Sequence, residues 1–532
     1  MMDLEAVKRT ALEWLEANHD QLSRDHLAIW EMAEPAWREY RSCAWYVDRL
    51  RAAGWTVEEG SATMPTAFCA TWGEAGPVLG GYAEYDAVPG RSQAAVPYRQ
   101  PRPGMSKYAA GHTDPHSGLG IGALAGFLAA QHALKTHGIK ARLKFLGEPA
   151  EKMCGSKPVH AAHGYYDDMD AAISFHPASF GGLVNSVLWD THCAPYWSRI
   201  YTFECDDPET WLARQATAGI QHTHGVARAP GTIDAVVLMY TASKFLKEAM
   251  LPHNGGWSIN EFIMTAGQAA ADNLAPNIGQ IQYACRAPFV EMQEKVFATL
   301  DNNADHAAAI SHCTVRKEWI TKTRPGLPNH ALADITYRNF ERVGPPKWSE
   351  AGKAFGREIQ KTLGIAPMDD PFPPEHEQLT TPQDGEAWFR ANLPAWQKNF
   401  AADDYVEYTW HAPTVRLYVA RPILRSPEPG YRYPEWTRFA MGGTPGTIDP
   451  MWSTAGKVIA LTLVDLGGDP AALERCKAEF RERTGGGIGG TRWMPPLLPE
   501  KFPAPVEYRW PEYVETVRGR EWSIPTTTAE RG

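Results

Sequence analysis

Apolar positions recur with two different periods along the first half of the chain. Residues 4–18 and 25–53 repeat at the three-to-four spacing of amphipathic helices, and AFCATWG (67–73) and VLGGYAEYDAV (78–88) are short apolar runs of strand length. A loop rich in Pro, Gln and Arg follows. The pattern then predicts a helix near 118–136, a strand ARLKFLGE (141–148), a short helix near 156–165 and a strand AAISFHP (171–177). Strands apolar on both faces, alternating with helices, are the grammar of a mostly parallel sheet covered on both sides.

From about 196 to 323 the order changes to strand, helix, strand, strand, helix, strand, which predicts a ferredoxin-like α+β unit inserted into the first domain. Beyond Pro328 come helices near 330–343 and 348–364, a Pro- and acid-rich loop to about 400, a strand region YVEYTWHAPTVRLYVA and helices near 453–486, where the first domain resumes. The expected organisation is 1–195 and 326–492 as two parts of one catalytic α/β domain, 196–325 as an inserted lid, and 493–532 as an irregular tail. The longest apolar stretch, Gly118 to Ala130, is shorter than a membrane span needs and reads as a buried helix.

Charge and cysteine content narrow the function. The 532 residues carry 52 Lys+Arg against 62 Asp+Glu, net -10, with no basic run, so neither nucleic acid nor an anionic membrane is an expected partner; a small molecule is. The N-terminus has no secretory pattern, and the eight cysteines form no C-x-x-C pair, so reduced thiols and a cytoplasmic location are expected.

Candidate chemistry gathers at strand ends. Asp86, Glu148, Glu151 and His176 each follow an apolar run, and the loop GHTDPHSG supplies His112, Asp114 and His116 before the next helix. Ligands of parallel α/β sheets bind outside the carboxyl ends of the strands. Imidazole and carboxylate suit a divalent ion such as Zn or Mn, and Asp114, His116 and His176 are the candidate ligands, leaving a position open for water. Glu151 is the candidate general base and Asp86 a supporting carboxylate. Pro115 predicts a loop, not a helix, around His112 and His116. The glycine run 484–490 follows a helix and reads as a helix stop, and no Gly-x-Ser-x-Gly elbow is present.

The segments GYAEYDAVPG, GHTDPHSGLG, FLGEPAEKMCGSK, DDMDAAISFHP and NLAPNIGQIQYACRAP, in that order, resemble the aminoacylase and glutamate-carboxypeptidase group of metallopeptidases over nearly all of residues 5–345. The resemblance implies a catalytic α/β domain, a lid that usually makes a homodimer, and hydrolysis of amide bonds with divalent metal. It places the bridging ligand on Asp114, further ligands on His116 and His176, the base on Glu151, the buttress on Asp86, and substrate contacts on Asn273 and on His222 or His224. Two departures concern one of the family's two ions. The glutamate after the base is Lys152, and GGTPGTIDP lacks the C-terminal histidine; His411 is the one candidate to compensate. One ion per subunit is therefore expected, with Lys152 facing substrate. The expected activity is hydrolysis of an amide in a small aromatic or carboxylated molecule. The alternatives are an aromatic-amine aminohydrolase and a non-catalytic binding protein that kept the fold.

Overall fold

The computed structural model describes residues 3–179, 181–206, 229–250, 256–266, 275–507, 512–517 and 519–523. Its strands, in chain order, are β1 (Thr56–Glu59), β2 (Phe68–Trp72), β3 (Val78–Ala83), β4 (Arg142–Gly147), β5 (Ala171–Ala178), β6 (Ser186–Val187), β7 (Tyr196–Glu204), β8 (Ser258–Thr265), β9 (Ile278–Arg286), β10 (Thr314–Lys322) and β11 (Thr414–Ala420), with β12 (Glu512–Thr516) and β13 (Gly519–Ser523) in the tail. One sheet has the order β1-β2-β4-β3-β5-β11-β6 and a second the order β10-β7-β9-β8.

In the larger sheet β4, β3, β5 and β11 run parallel, and the flanking pairs β1-β2, β2-β4 and β11-β6 are antiparallel. Every residue of β3 and β11 is buried, as expected of strands covered on both faces. Because four strands share one direction, their carboxyl ends open onto a single edge. The second sheet is antiparallel throughout and carries the helices Thr232–Met250 and Val290–Ile310, so the segment between β7 and β10 is a β-α-β-β-α-β unit with its own apolar core.

The chain begins with α1 (Leu4–Met32) and α2 (Tyr40–Ala52), where the residue pattern suggests helices over 4–18 and 25–53. The break falls later because Ala33 turns left-handed (φ 41°) and Pro35 follows Glu34, disfavouring helical backbone there. The third helix, α3 (His116–Thr136), is long and apolar enough to pass for a membrane span, but it is buried against α1 and the helix Pro445–Gly468. Glycine makes that packing close. A Cβ on Gly126 would lie 2.9 Å from the Gly456 carbonyl oxygen, so any side chain there would force the two helices apart.

Three expectations change. The Pro- and acid-rich stretch before residue 400 holds a helix, Pro382–Asn392, capped by Thr381 with Pro382 in its first turn. The first half of YVEYTWHAPTVRLYVA is not strand but a 3-10 turn, Asp404–Trp410, capped by Asp403. The tail is not wholly irregular, since β12 and β13 form a hairpin. The glycine run does stop a helix: Gly485 caps Pro470–Thr484 with φ 72°, a conformation glycine adopts without strain.

Candidate active site

The parallel strands deliver their ends to one place. Glu84 and Asp86 follow β3, Glu148 and Glu151 follow β4, His176 closes β5, and Arg421 comes directly after β11. His116 joins them as the first residue of α3. The loop expected around it from Pro115 gives way to helix, because the proline sits at the N-cap, where a missing N–H costs nothing.

His116 is fully buried, and its Nδ1 stands 2.7 Å from Asp86 Oδ1. That contact assigns the Nδ1 proton to the Asp86 bond and turns the Nε2 lone pair toward the other strand ends. Around Nε2 lie Lys152 Nζ at 3.0 Å, Glu84 Oε2 at 3.4 Å and Glu151 Oε2 at 3.4 Å. Asp86 also accepts the Lys152 backbone N–H, at 2.9 Å, which fixes the turn carrying Glu151. His176 faces the same space. Its Nδ1 is 2.7 Å from the Pro177 carbonyl oxygen, to which it donates, and burial lowers its pKa to about 3, so the ring is neutral with Nε2 free.

Glu84, His116 and His176 each bring one donor atom within 4.8 Å of the others. One oxygen of Glu84 is buried without a hydrogen-bond partner, an expensive condition that a cation relieves. Two histidines, one of them buttressed by a carboxylate, and one carboxylate fit a divalent ion. Asp86, His116 and Glu151 make a second such group, and Glu84, Glu151, Asp403 and Asp404 a third.

Asp114 stands outside these groups among the described residues. Its Oδ2 is 3.0 Å from Lys152 Nζ and its Oδ1 2.5 Å from Arg421 Nη1. Burial opposes its charge, yet Lys152 and Arg421 together hold its carboxyl well below the ordinary range. Lys152 is likewise held charged: burial works against the ammonium, but Asp114, Glu151 and Asp86 outweigh it. The ammonium occupies the ground between Asp114, His116 and Glu151.

Beneath the site a buried lysine balances further acids. Lys157 Nζ reaches Glu84 Oε1 at 2.8 Å and Asp404 Oδ1 at 2.6 Å, with all three side chains fully buried. Even so, burial pushes Glu84 up to about 7 and Asp404 well above its usual value. Arg416 pairs with Asp403 and donates to Ser174 Oγ and Tyr82 Oη at 2.6 and 3.0 Å. Glu148 is fully engaged: although burial opposes its charge, His160, Tyr166 and Tyr408 bond it at 2.7–2.8 Å, and its pKa falls to about 2.

A cavity of about 290 Å³ opens over this floor, lined among others by Asp114, Glu151, Lys152, His176, Arg286 and Arg421. Arg286 ends β9 of the second sheet, lies 4.9 Å from the Tyr196 ring centroid and makes no ion pair among the described residues. His411 is not part of the site. Its Nδ1 is bound to Asp167 at 2.6 Å and its Nε2 accepts from Arg324 at 2.9 Å, so neither nitrogen is free, and it borders another cavity beside Trp493. His112 is buried against the Ile29 carbonyl. Asn273, His222 and His224 lie outside the described residues. Glu84, Arg286, Asp403 and Arg421 are site residues that the sequence did not single out. For Glu84 a signal existed, since it lies two residues before Asp86 at the same strand end.

Residues 81–373 match the model of peptidase family M20/M25/M40. The chain belongs to this family. A relative in the family, one of the subunits of the p-aminobenzoyl-glutamate hydrolase of Escherichia coli (strain K12), is 26% identical over 476 residues, covering 86% of this chain and 91% of that protein. The Xaa-Arg dipeptidase of Mus musculus is 24% identical over 356 residues, 64% of this chain and 73% of that one. The crystal structure of aminobenzoyl-glutamate utilization protein from Klebsiella pneumoniae shares the fold, with a TM-score of 0.51 at 13% identity over 85% of this chain and 97% of that one. Family membership and the donor groups together make this chain a metal-dependent amidohydrolase that uses divalent metal.

Proposed function

We propose that the protein hydrolyses the amide C–N bond of a small aromatic or carboxylated substrate, using one Mn or Zn ion per subunit. The observation that carries this reading is the shared position of base and ligands. Glu151 Oε2 lies 3.4 Å from the same His116 Nε2 that Asp86 orients and that Glu84 and His176 surround. His116, His176 and Glu84 would hold the ion. When bound, it supplies a Lewis acid that polarises the scissile carbonyl and lowers the pKa of water.

Glu151 accepts the proton of the attacking water and returns it to the leaving nitrogen, so that an acid and an amine depart. Lys152 fills the place of the second ion. It holds a positive charge beside the carbonyl oxygen that becomes anionic during attack. Arg286, which makes no ion pair among the described residues, is a cation for a substrate carboxylate, and the cavity of about 290 Å³ suits a small molecule. The exposed apolar side chains of the inserted unit, Phe245, Phe262 and Ile263 among them, support a homodimer formed through it, and the lack of a disulfide among the described residues supports a reducing, cytoplasmic setting.

The test is turnover of N-acyl amino acids, p-aminobenzoyl-glutamate and aminobenzoates by the metal-loaded protein and by Glu151→Gln. Loss of the base should lower the rate by roughly 100- to 10,000-fold with metal content unchanged. A protein inert on the whole panel would point to a binding function, and a variant as fast as the parent would remove Glu151 from the chemistry.

A further inference from the structure

The Arg421 side chain is barely used by the protein itself. It lies at the carboxyl end of β11, is only 8% exposed and lines the cavity over the site. A guanidinium has five N–H donors and usually grips a carboxylate with two of them. Among the described residues its one side-chain hydrogen bond is from Nη1 to Asp114 Oδ1, and Nε is buried with no partner. Leaving a buried donor unpaired is unfavourable, and the described residues offer no second acceptor. The other oxygen of Asp114 is taken by Lys152 at 3.0 Å, so one carboxylate tethers two cations at the cavity wall.

We propose that Arg421, with Lys152 beside it, forms an anion-binding position for a carboxylate of a small organic acid, and that Asp114 is the positioning residue that holds the two cations in place. The inference rests on the reading of this cavity as the substrate site and adds a second acidic contact to it. This position lies on the side of the parallel sheet, whereas Arg286 belongs to the second sheet. A bound carboxylate occupies the donors that Asp114 leaves free on the guanidinium. The neighbouring Phe400 and Tyr418, which line the same cavity, favour an aromatic acid over an aliphatic one.

The probe is benzoate, followed by calorimetry on the full chain, metal-loaded and after chelation, with metal content read in parallel. Arg421→Met should weaken benzoate at least tenfold and Arg421→Lys less than Arg421→Met, with both variants retaining the parent melting profile. Chelated protein should still bind. Benzoate affinity unchanged in Arg421→Met would overturn the proposal, as would loss of binding on chelation or loss in Arg286→Met alone. Should Arg421→Met fail to fold, Asp114→Asn decides: with the carboxylate that holds the two cations gone, benzoate binds severalfold more weakly while metal content stays at the parent level, and an unchanged benzoate affinity would overturn the positioning role. Loss of the metal in that variant would make Asp114 a ligand and end the positioning role. Because binding is read without turnover, a protein that takes benzoate through Arg421 yet cleaves no amide would refute the hydrolase reading and leave this one standing.

Discussion

Lys157→Met removes a cation in direct contact with two buried carboxyls while keeping most of the side-chain volume. Lys157 Nζ is 2.6 Å from Asp404 and 2.8 Å from Glu84, and it lies 4.6 Å from the Tyr82 ring centroid. Breaking a buried pair by deleting one partner costs about 3–5 kcal/mol because a charge is left uncompensated. The carboxyls have one escape, which is to take up protons. Burial holds Glu84 at about 7 with the lysine present, and losing the lysine moves it higher. A carboxyl whose folded pKa exceeds its unfolded value of about 4.3 stabilises the fold below that value and loses this contribution as pH rises through the folded pKa. The variant therefore falls further behind the parent as pH increases. In chelator, urea unfolding followed by tryptophan fluorescence should show a deficit of about 3–5 kcal/mol at pH 8.5, smaller at pH 5.5 by at least about 1.4 kcal/mol, the equivalent of one pKa unit. Equal deficits at the two pH values, or one below about 1 kcal/mol at pH 8.5, would show that the three groups do not share charge as described.

Asp86→Asn should reduce metal affinity by roughly 10- to 100-fold, the usual cost of losing a carboxylate behind a ligating histidine, measured by competition with a chromogenic chelator. Elemental analysis of protein supplied with excess Zn or Mn should give close to one ion per subunit; a reproducible value near two would overturn Lys152 as the occupant of the second position. Gly120→Ala places a Cβ 2.8 Å from the Glu84 carbonyl oxygen and 2.2 Å from Tyr46 Oη, and should destabilise the fold by about 1–3 kcal/mol in thermal or urea unfolding. Sedimentation at micromolar concentration should show a dimer, and a strict monomer would remove the inserted unit as an association surface.

Strand ends are the most legible part of the site. Asp86, Glu151 and His176 stand where apolar runs stop, and the inserted unit announces itself by a change in element order. What the chain does not reveal depends on neighbours far away in sequence. Asp114 has the residue type and spacing of a ligand, and its oxygens bond Lys152 and Arg421, the latter 307 positions away. His411 is available by residue type alone, yet Arg324 and Asp167 take its two nitrogens. The 3-10 turn Asp404–Trp410 reads as strand because its aromatic, β-branched composition suits either state, and the turn is held by the Asp403 cap together with distant partners, Lys157 on Asp404 and Glu148 on Tyr408.

The parallel pairing of β11 with β5 also sets a timetable for synthesis. Strand β5 ends at Ala178 and Arg421 follows β11, so 421 − 178 = 243 residues must be added before that edge is covered and Arg421 arrives. At roughly 5–20 residues per second this takes on the order of 10–50 s on the ribosome. Throughout that interval β5 presents an unpaired apolar edge, the kind of surface that nascent chains lose to aggregation. The inserted segment from β7 to β10 emerges inside the same interval and, having its own core, is free to fold meanwhile. Expression yield should thus respond to chaperone supply and translation speed more strongly than the stability of the finished protein would suggest.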